Sequence, residues 1–324
     1  MKIKLDQNGW TLHVEDFDFN NATQDDIDII GCLASYYTLV VFRNQKLEIQ
    51  TEERLARLFG TTQDEQYGEQ FIEKNKDGNH PLYAPDGTIT FRVTGEKNHK
   101  GVIGLFGFDQ ELGWHCNKID QKERRGLVWL YGVHGTKGSE TQFTNHVLAY
   151  NDLSDNVKQQ IQNLEIIYDT DPANSARDRF FKEAFIKSEY KGPTFGIAKD
   201  DSGNFDQKYI PTQYTPRLVH TNNSGQVGLS IFPGKVQQFK GMSVDESQLL
   251  VKSLNTHIMG NMKYRYCHHW EDGDLLLSEQ WLGLHRRLAF DGMSSRLLHR
   301  IESDFDKIDF SKLNRALSMV ENTN

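Results

Sequence analysis

The chain of 324 residues carries 45 Asp plus Glu against 37 Lys plus Arg, a formal charge of -8, and 37% of its residues are apolar. That length and apolar content allow a sizeable core in one large domain or two small ones. With no basic tract interleaved with aromatics, the chain is a poor partner for nucleic acid. Cys32, Cys116 and Cys267 are an odd, widely spaced set with no CxxC pair, so neither a disulfide framework nor a structural zinc site is expected. MKIKLDQNGW lacks the apolar stretch of a signal peptide and no run approaches the ~20 apolar residues that span a bilayer. The expectation is a cytoplasmic protein, with no membrane partner, acting on a small molecule.

In chain order, Thr23 ahead of QDDIDIIGCLASYY predicts a capped helix with acids in its first turn, and TLVVFRNQKL a strand. TEERLARLFG predicts a second helix with Thr51 as N-cap and Gly60 as a left-handed stop. Short strands follow at TITFRV, RGLVWLYGV and TQFTNHVLAY, separated by Gly, Asn and Lys turns. Residues 154–213 are polar and punctuated by Pro and Gly, the pattern of an insertion or lid within a single domain of residues 1–324. Ser243 and Glu246 form an S-x-x-E capping box for a helix carrying Leu249, Leu250, Leu254 and Ile258 and ending at Gly260. YRYCHHW, LLL and SSRLLHRI then read as strands. Many short strands with few helices, and no phosphate-binding glycine loop, predict a sandwich or jelly roll, mainly β with flanking helices.

Taken singly, His115 and His285 are unremarkable, since a histidine among apolar neighbours is commonly structural. His268 and His269 in HHWEDGD are adjacent strand residues and point to opposite faces, so they do not share one ion. Arg296 and Arg300 are four apart and fall on one strand face with Leu298 between them. Two readings stay open for them: rim salt bridges, or a pocket that pairs small carboxylates in bidentate fashion.

Together these stretches resemble the iron(II), 2-oxoglutarate-dependent oxygenases of the taurine dioxygenase family. YYTLVVFRNQKL with its following helix, WHCN, SETQF, RLVHTNNSGQVGLSI, and the run from Trp270 to His285 with the Arg296 and Arg300 strand stand in that family's order. The resemblance implies a double-stranded β-helix, a cupin-like jelly roll with Fe(II) at its mouth and 2-oxoglutarate and O2 as cosubstrates. It assigns His115 and His285 as metal ligands, Thr141 and Arg296 to 2-oxoglutarate, and Arg300 to an anionic group of the primary substrate. It also allows a homo-oligomer, because family members often self-associate.

The chain departs from the family pattern at Ser139 and Glu140, at Ser278, Glu279 and Gln280, and above all at Asn117, which stands where the family has an acidic ligand. Four readings of Asn117 compete. Its amide oxygen ligates iron in a hydroxylase; another acid, Asp120 being nearest, replaces it through a bulge; a halide fills the site in a radical halogenase; or the protein is a non-catalytic jelly-roll binder.

Overall fold

The computed structural model describes residues 1–62, 83–84, 87–98, 101–117, 124–168 and 215–321. The larger of two principal sheets has the order β18 (Val320–Glu321), β1 (Lys2–Leu5), β2 (Thr11–Glu15), β3 (Leu39–Phe42), β15 (Leu275–Glu279), β8 (Leu127–His134), β17 (Leu297–Ser303), β4 (Phe91–Thr94). The smaller has the order β14 (Arg265–His269), β9 (Glu140–Thr144), β16 (His285–Arg287), β7 (Leu112–His115). Three hairpin-like pairs complete the strands: β5 (Lys97–Asn98) with β6 (Gly101–Val102), β10 (Ile166–Tyr168) with β13 (Val236–Phe239), and β11 (Val219–Thr221) with β12 (Val227–Leu229). The two principal sheets make the expected jelly roll.

Alternation along the strands assigns each face. Val40, Phe42, Leu127, Trp129, Tyr131, Leu275, Leu277 and Ile301 bury one face of the large sheet against helices α1 (Gln24–Tyr37) and α2 (Ile49–Phe59). Leu39, Val41, Val128, Leu130, Leu276 and Leu298 point the other way and meet Phe143 of the small sheet in a second layer of core. Position 298 therefore faces the space between the sheets, and so do positions 300 and 302 of the same strand. The outer side of the small sheet is covered by a third apolar cluster. It contains Cys116 and Leu284 together with residues of α3 (His146–Asn151), α4 (Asp155–Ile161) and α5 (Val244–Gly260). A last helix, α6 (Leu313–Ser318), buries Ala316 beside α1.

The capped helix at Thr23 and the Ser243–Glu246 capping box form as expected, each with both reciprocal hydrogen bonds. Other expectations need correction. Helix α2 begins two residues before Thr51, with Glu48 at the N-cap and no side-chain cap bond. Gly60 is not left-handed: its φ is 172, an extended value any residue adopts. What position 60 requires is absence of a side chain, since a Cβ there would lie 2.4 Å from the Asp304 carbonyl oxygen and 2.3 Å from Asp306 Oδ1. TQFTNHVLAY is only half strand; Asn145 caps Leu148 N and turns the rest into α3. Helix α5 buries Val251, Leu254 and Ile258, whereas Leu249 is 70% exposed, so the buried stripe is set one residue away from the leucine run. The segment expected as an insertion starts as ordinary scaffold: Ser154 caps α4, and β10 pairs with β13. Its remainder, residues 169–213, lies outside the described residues.

Ser243→Ala removes one side-chain cap and should lower unfolding free energy by about 1 kcal/mol. Gly60→Ala forces backbone apart and should cost more, roughly 1–3 kcal/mol, both read from urea denaturation. A pH dependence also follows from His146, whose ring gives its Nδ1–H to the Leu229 carbonyl at 2.8 Å. Burial pushes this ring down to about 4, with the Arg124 charge adding to it and the Leu229 bond opposing, against an ordinary value of 6.5. Between those values the unfolded chain takes up a proton that the folded chain refuses, so stability is complete above 6.5 and falls as pH drops toward 4. His146→Gln should flatten that decline by roughly 1.4 kcal/mol per pH unit within this window, measured by denaturation from pH 7.5 to 4.5.

Candidate metal centre

Antiparallel pairing of β16 with β7 places His285 directly opposite His115. Their ring centroids are 4.3 Å apart with planes inclined at 54°. The local alternation explains why these two rings turn inward: Trp114, Cys116 and Leu284 belong to the apolar cover on the outer face, so the residues between them face the space between the sheets. His115 Nδ1 lies 2.7 Å from the Gly113 carbonyl oxygen. A carbonyl only accepts, so Nδ1 carries the proton of this contact. His285 is held well below the ordinary histidine range by burial first, then by the His115 and Arg300 charges, and its ring is neutral. Two imidazoles facing each other at this separation can share one metal ion.

Asn117 is buried two residues after His115. Its backbone N–H donates to Gln280 Oε1 at 3.4 Å and its Nδ2 donates to Glu302 Oε1 at 3.0 Å. Glu302 in turn sits 3.1 Å from Arg300 Nη2. The Arg300 guanidinium also covers the Phe91 ring at 5.2 Å and the Phe106 ring at 6.0 Å. Asp120, the other acid considered for the iron, lies outside the described residues.

Arg296 is 1% exposed. Its Nη1 reaches only the Met293 thioether at 3.6 Å, and its Nε has no hydrogen-bond partner. Burial, with the Arg287 charge adding, pushes it down to about 9. A guanidinium buried without a carboxylate is costly unless something of opposite charge joins it. Thr141, also buried, accepts a hydrogen bond from Trp270 Nε1 at 2.9 Å, which leaves its own hydroxyl proton free to donate. Arg287, the cross-strand partner of Thr141, binds the carbonyls of Phe106, Phe108 and Gln110 at 3.0, 2.5 and 2.6 Å. It holds the chain ahead of β7 in place and adds a second positive charge beside Arg296. A buried guanidinium with no carboxylate partner among the described residues, a hydroxyl donor and a facing imidazole pair fit a divalent metal and a dicarboxylate.

The model of the taurine catabolism dioxygenase TauD, TfdA family matches residues 4–301. The chain belongs to this family. Pentalenolactone F synthase of Streptomyces arenae is 22% identical over 206 residues, 63% of this chain and 65% of that protein, a little under two thirds of its length. The alpha-ketoglutarate-dependent 2,4-dichlorophenoxyacetate dioxygenase of Burkholderia sp. strain RASC is 25% identical over 267 residues, 81% of this chain and 80% of that protein. Among solved structures, AAD-2 in complex with Mn(II) and N-oxalylglycine shares the fold at a TM-score of 0.65, with 18% identity, over 93% of this chain and 96% of that one. TauD/TfdA members use Fe(II) with 2-oxoglutarate and O2, and membership makes the chain a non-haem iron dioxygenase. No helix among the described residues is long and apolar enough to cross a membrane.

His115 and His285 meet across the β7–β16 pair, Asn117 follows His115 by two residues, and Thr141 shares strand β9 with Phe143, whose backbone pairs with His285. His268 and His269 separate as expected: His268 is fully buried on Asp274 at 3.0 Å, and His269 is exposed beside Glu140. Sequence reading missed Arg287 and Glu302. Each had a signal, standing two residues beyond a named site residue on the same strand and therefore on the same face.

Because Arg296 is buried without an anion, Arg296→Met should raise the melting temperature of the metal-free protein by a few degrees. The same change should abolish stabilisation by added 2-oxoglutarate, both read in one thermal-shift series.

Proposed function

We propose that this family member hydroxylates an unactivated carbon of a small substrate, with Fe(II) held by His115, His285 and the amide oxygen of Asn117. Arg296 would take the distal carboxylate of 2-oxoglutarate and Thr141 would donate a hydrogen bond to the same molecule. The observation that carries this reading is the buried Arg296 guanidinium immediately before β17, which among the described residues meets only the Met293 thioether through Nη1 and nothing through Nε. When bound, iron and the keto acid supply the oxidising chemistry; the chain's own residues hold, orient and dehydrate the reactants. His285, kept neutral by its burial, would present a lone pair to the metal beside His115. Arg287 fixes residues 106–110 over the pocket through their carbonyls. Phe106 and Phe143, with centroids 6.4 Å from His115 and 6.2 Å from His285, exclude water from one side of the metal position.

Arg300 faces the primary substrate in this reading. Its charge is already met by Glu302, so an anionic substrate group would share the guanidinium with that carboxylate. The same carboxylate counts against halogenation, because a halide beside position 117 would approach a buried negative charge. The substrate belongs to the small-molecule class; its identity is a question for turnover assays.

The decisive experiment adds 2-oxoglutarate anaerobically to the Fe(II)-loaded protein and looks for the weak visible charge-transfer band of a chelated keto acid. The band should form in the native protein and be lost in Arg296→Ala. With O2, 2-oxoglutarate should be consumed to succinate, and a candidate substrate should gain one oxygen atom in mass even with chloride or bromide present. Ligand binding without consumption of 2-oxoglutarate would make the protein a non-catalytic binder, and halide in the product would make it a halogenase.

A further inference from the structure

Resting on the reading of His115, His285 and Asn117 as the metal ligands, we infer that Glu302 is a positioning residue for the metal. It turns the Asn117 amide so that its oxygen is left for the metal. A carboxylate oxygen that already carries a guanidinium only accepts hydrogen bonds. The end of Asn117 that lies 3.0 Å from Glu302 Oε1 is therefore the NH2 end, and the amide has one sensible orientation. The backbone of Asn117 is tied independently through Gln280, so both ends of the residue are fixed.

An amide oxygen is a weaker metal donor than a carboxylate because it is neutral. A charge-assisted N–H to carboxylate bond on the far side pushes electron density toward Oδ1 and partly offsets that weakness. Glu302 reaches this place by strand alternation alone: Leu298, Arg300 and Glu302 share the inner face of β17, and β17 runs beside β8 at the level of Val128. Glu302 acts through Asn117 rather than as a ligand. Among the described residues, the one trio of His, Cys, Asp or Glu with all ligand atoms within 4.8 Å of one another is Glu140, Cys267 and His269, outside this centre.

A partnership with Arg300 alone would also explain a buried Glu302, and the two explanations part in a mutant cycle. The measurement is anaerobic calorimetric titration of the whole protein with Fe(II), and with Zn(II) as a redox-silent probe, beside melting temperatures for every variant. Glu302→Gln should weaken metal binding by about 10- to 100-fold, and Asn117→Ala by a similar factor. The double variant should be no weaker than Asn117→Ala alone, because the same interaction is removed twice. Asn117→Asp should gain little affinity while Glu302 is present, since two carboxylates at about 3 Å repel, and should gain strongly in Asn117→Asp/Glu302→Gln. If Glu302→Gln does not fold, the single Asn117→Asp variant still decides: affinity well above the native protein overturns the inference. It is also overturned if Glu302→Gln binds metal like the native protein, if its loss adds in full to that of Asn117→Ala, or if Asn117→Ala is harmless while Glu302→Gln abolishes binding. Native binding that is unaffected by His115→Ala would instead bring down the metal-centre reading itself, and this inference with it.

Discussion

The antiparallel contact of β7 with β16 at His115 and His285 is the constraint on which the rest of the site depends. Two imidazoles meet at 4.3 Å because their strands pair in that register and because the residues on either side are committed to the opposite face. A one-residue slip of β16 would turn His285 out and bring Leu284 in, so the apolar cover formed by Cys116, Leu284 and helix α5 stabilises the register as well as the fold. The helix far from the metal and the metal ligands are thus linked through strand alternation.

Around that contact the protein concentrates positive charge in a place that would not otherwise hold it. Each of three arginines leaves its Nε unpartnered among the described residues, but Arg287 binds three backbone carbonyls, Arg300 meets Glu302 and two aromatic rings, and Arg296 meets little more than a thioether. The gradient from satisfied to unsatisfied cation points at the position where a carboxylate is needed. A buried cation so poorly met costs stability, and in the proposed function a bound carboxylate would recover it.

Much of the frame was legible in the chain because it rests on local rules. Capping residues at Thr23 and Ser243, the continuous apolar runs LVVF and LVWLYGVH, and the opposite faces of His268 and His269 follow from short-range stereochemistry. Errors arose where a long-range contact overrode local preference. Gly60 reads as a helix stop, yet its role is to let the chain pass against the Asp304 backbone, more than two hundred positions away. The four apolar residues noted in α5 do not say which of them is buried: packing against β13 and the third cluster takes Val251, Leu254 and Ile258 and leaves Leu249 exposed. The error at TQFTNHVLAY is local instead: the run is apolar enough to continue as strand, and Asn145 ends it by capping a helix at Leu148.

The sequence by itself determined the type of chemistry, because two histidines, a threonine and two arginines in a family's order, with matching strands between them, are one-dimensional facts. It also determined that position 117 lacks its acid. Only the tertiary structure decided what stands in the acid's surroundings. Glu302 lies 185 positions from Asn117 and meets it at 3.0 Å because β17 crosses behind the metal position within the large sheet. Strand alternation says which residues share a face, and it is local; which strands come to face one another is settled by burial of the whole core, and no single stretch of sequence carries that.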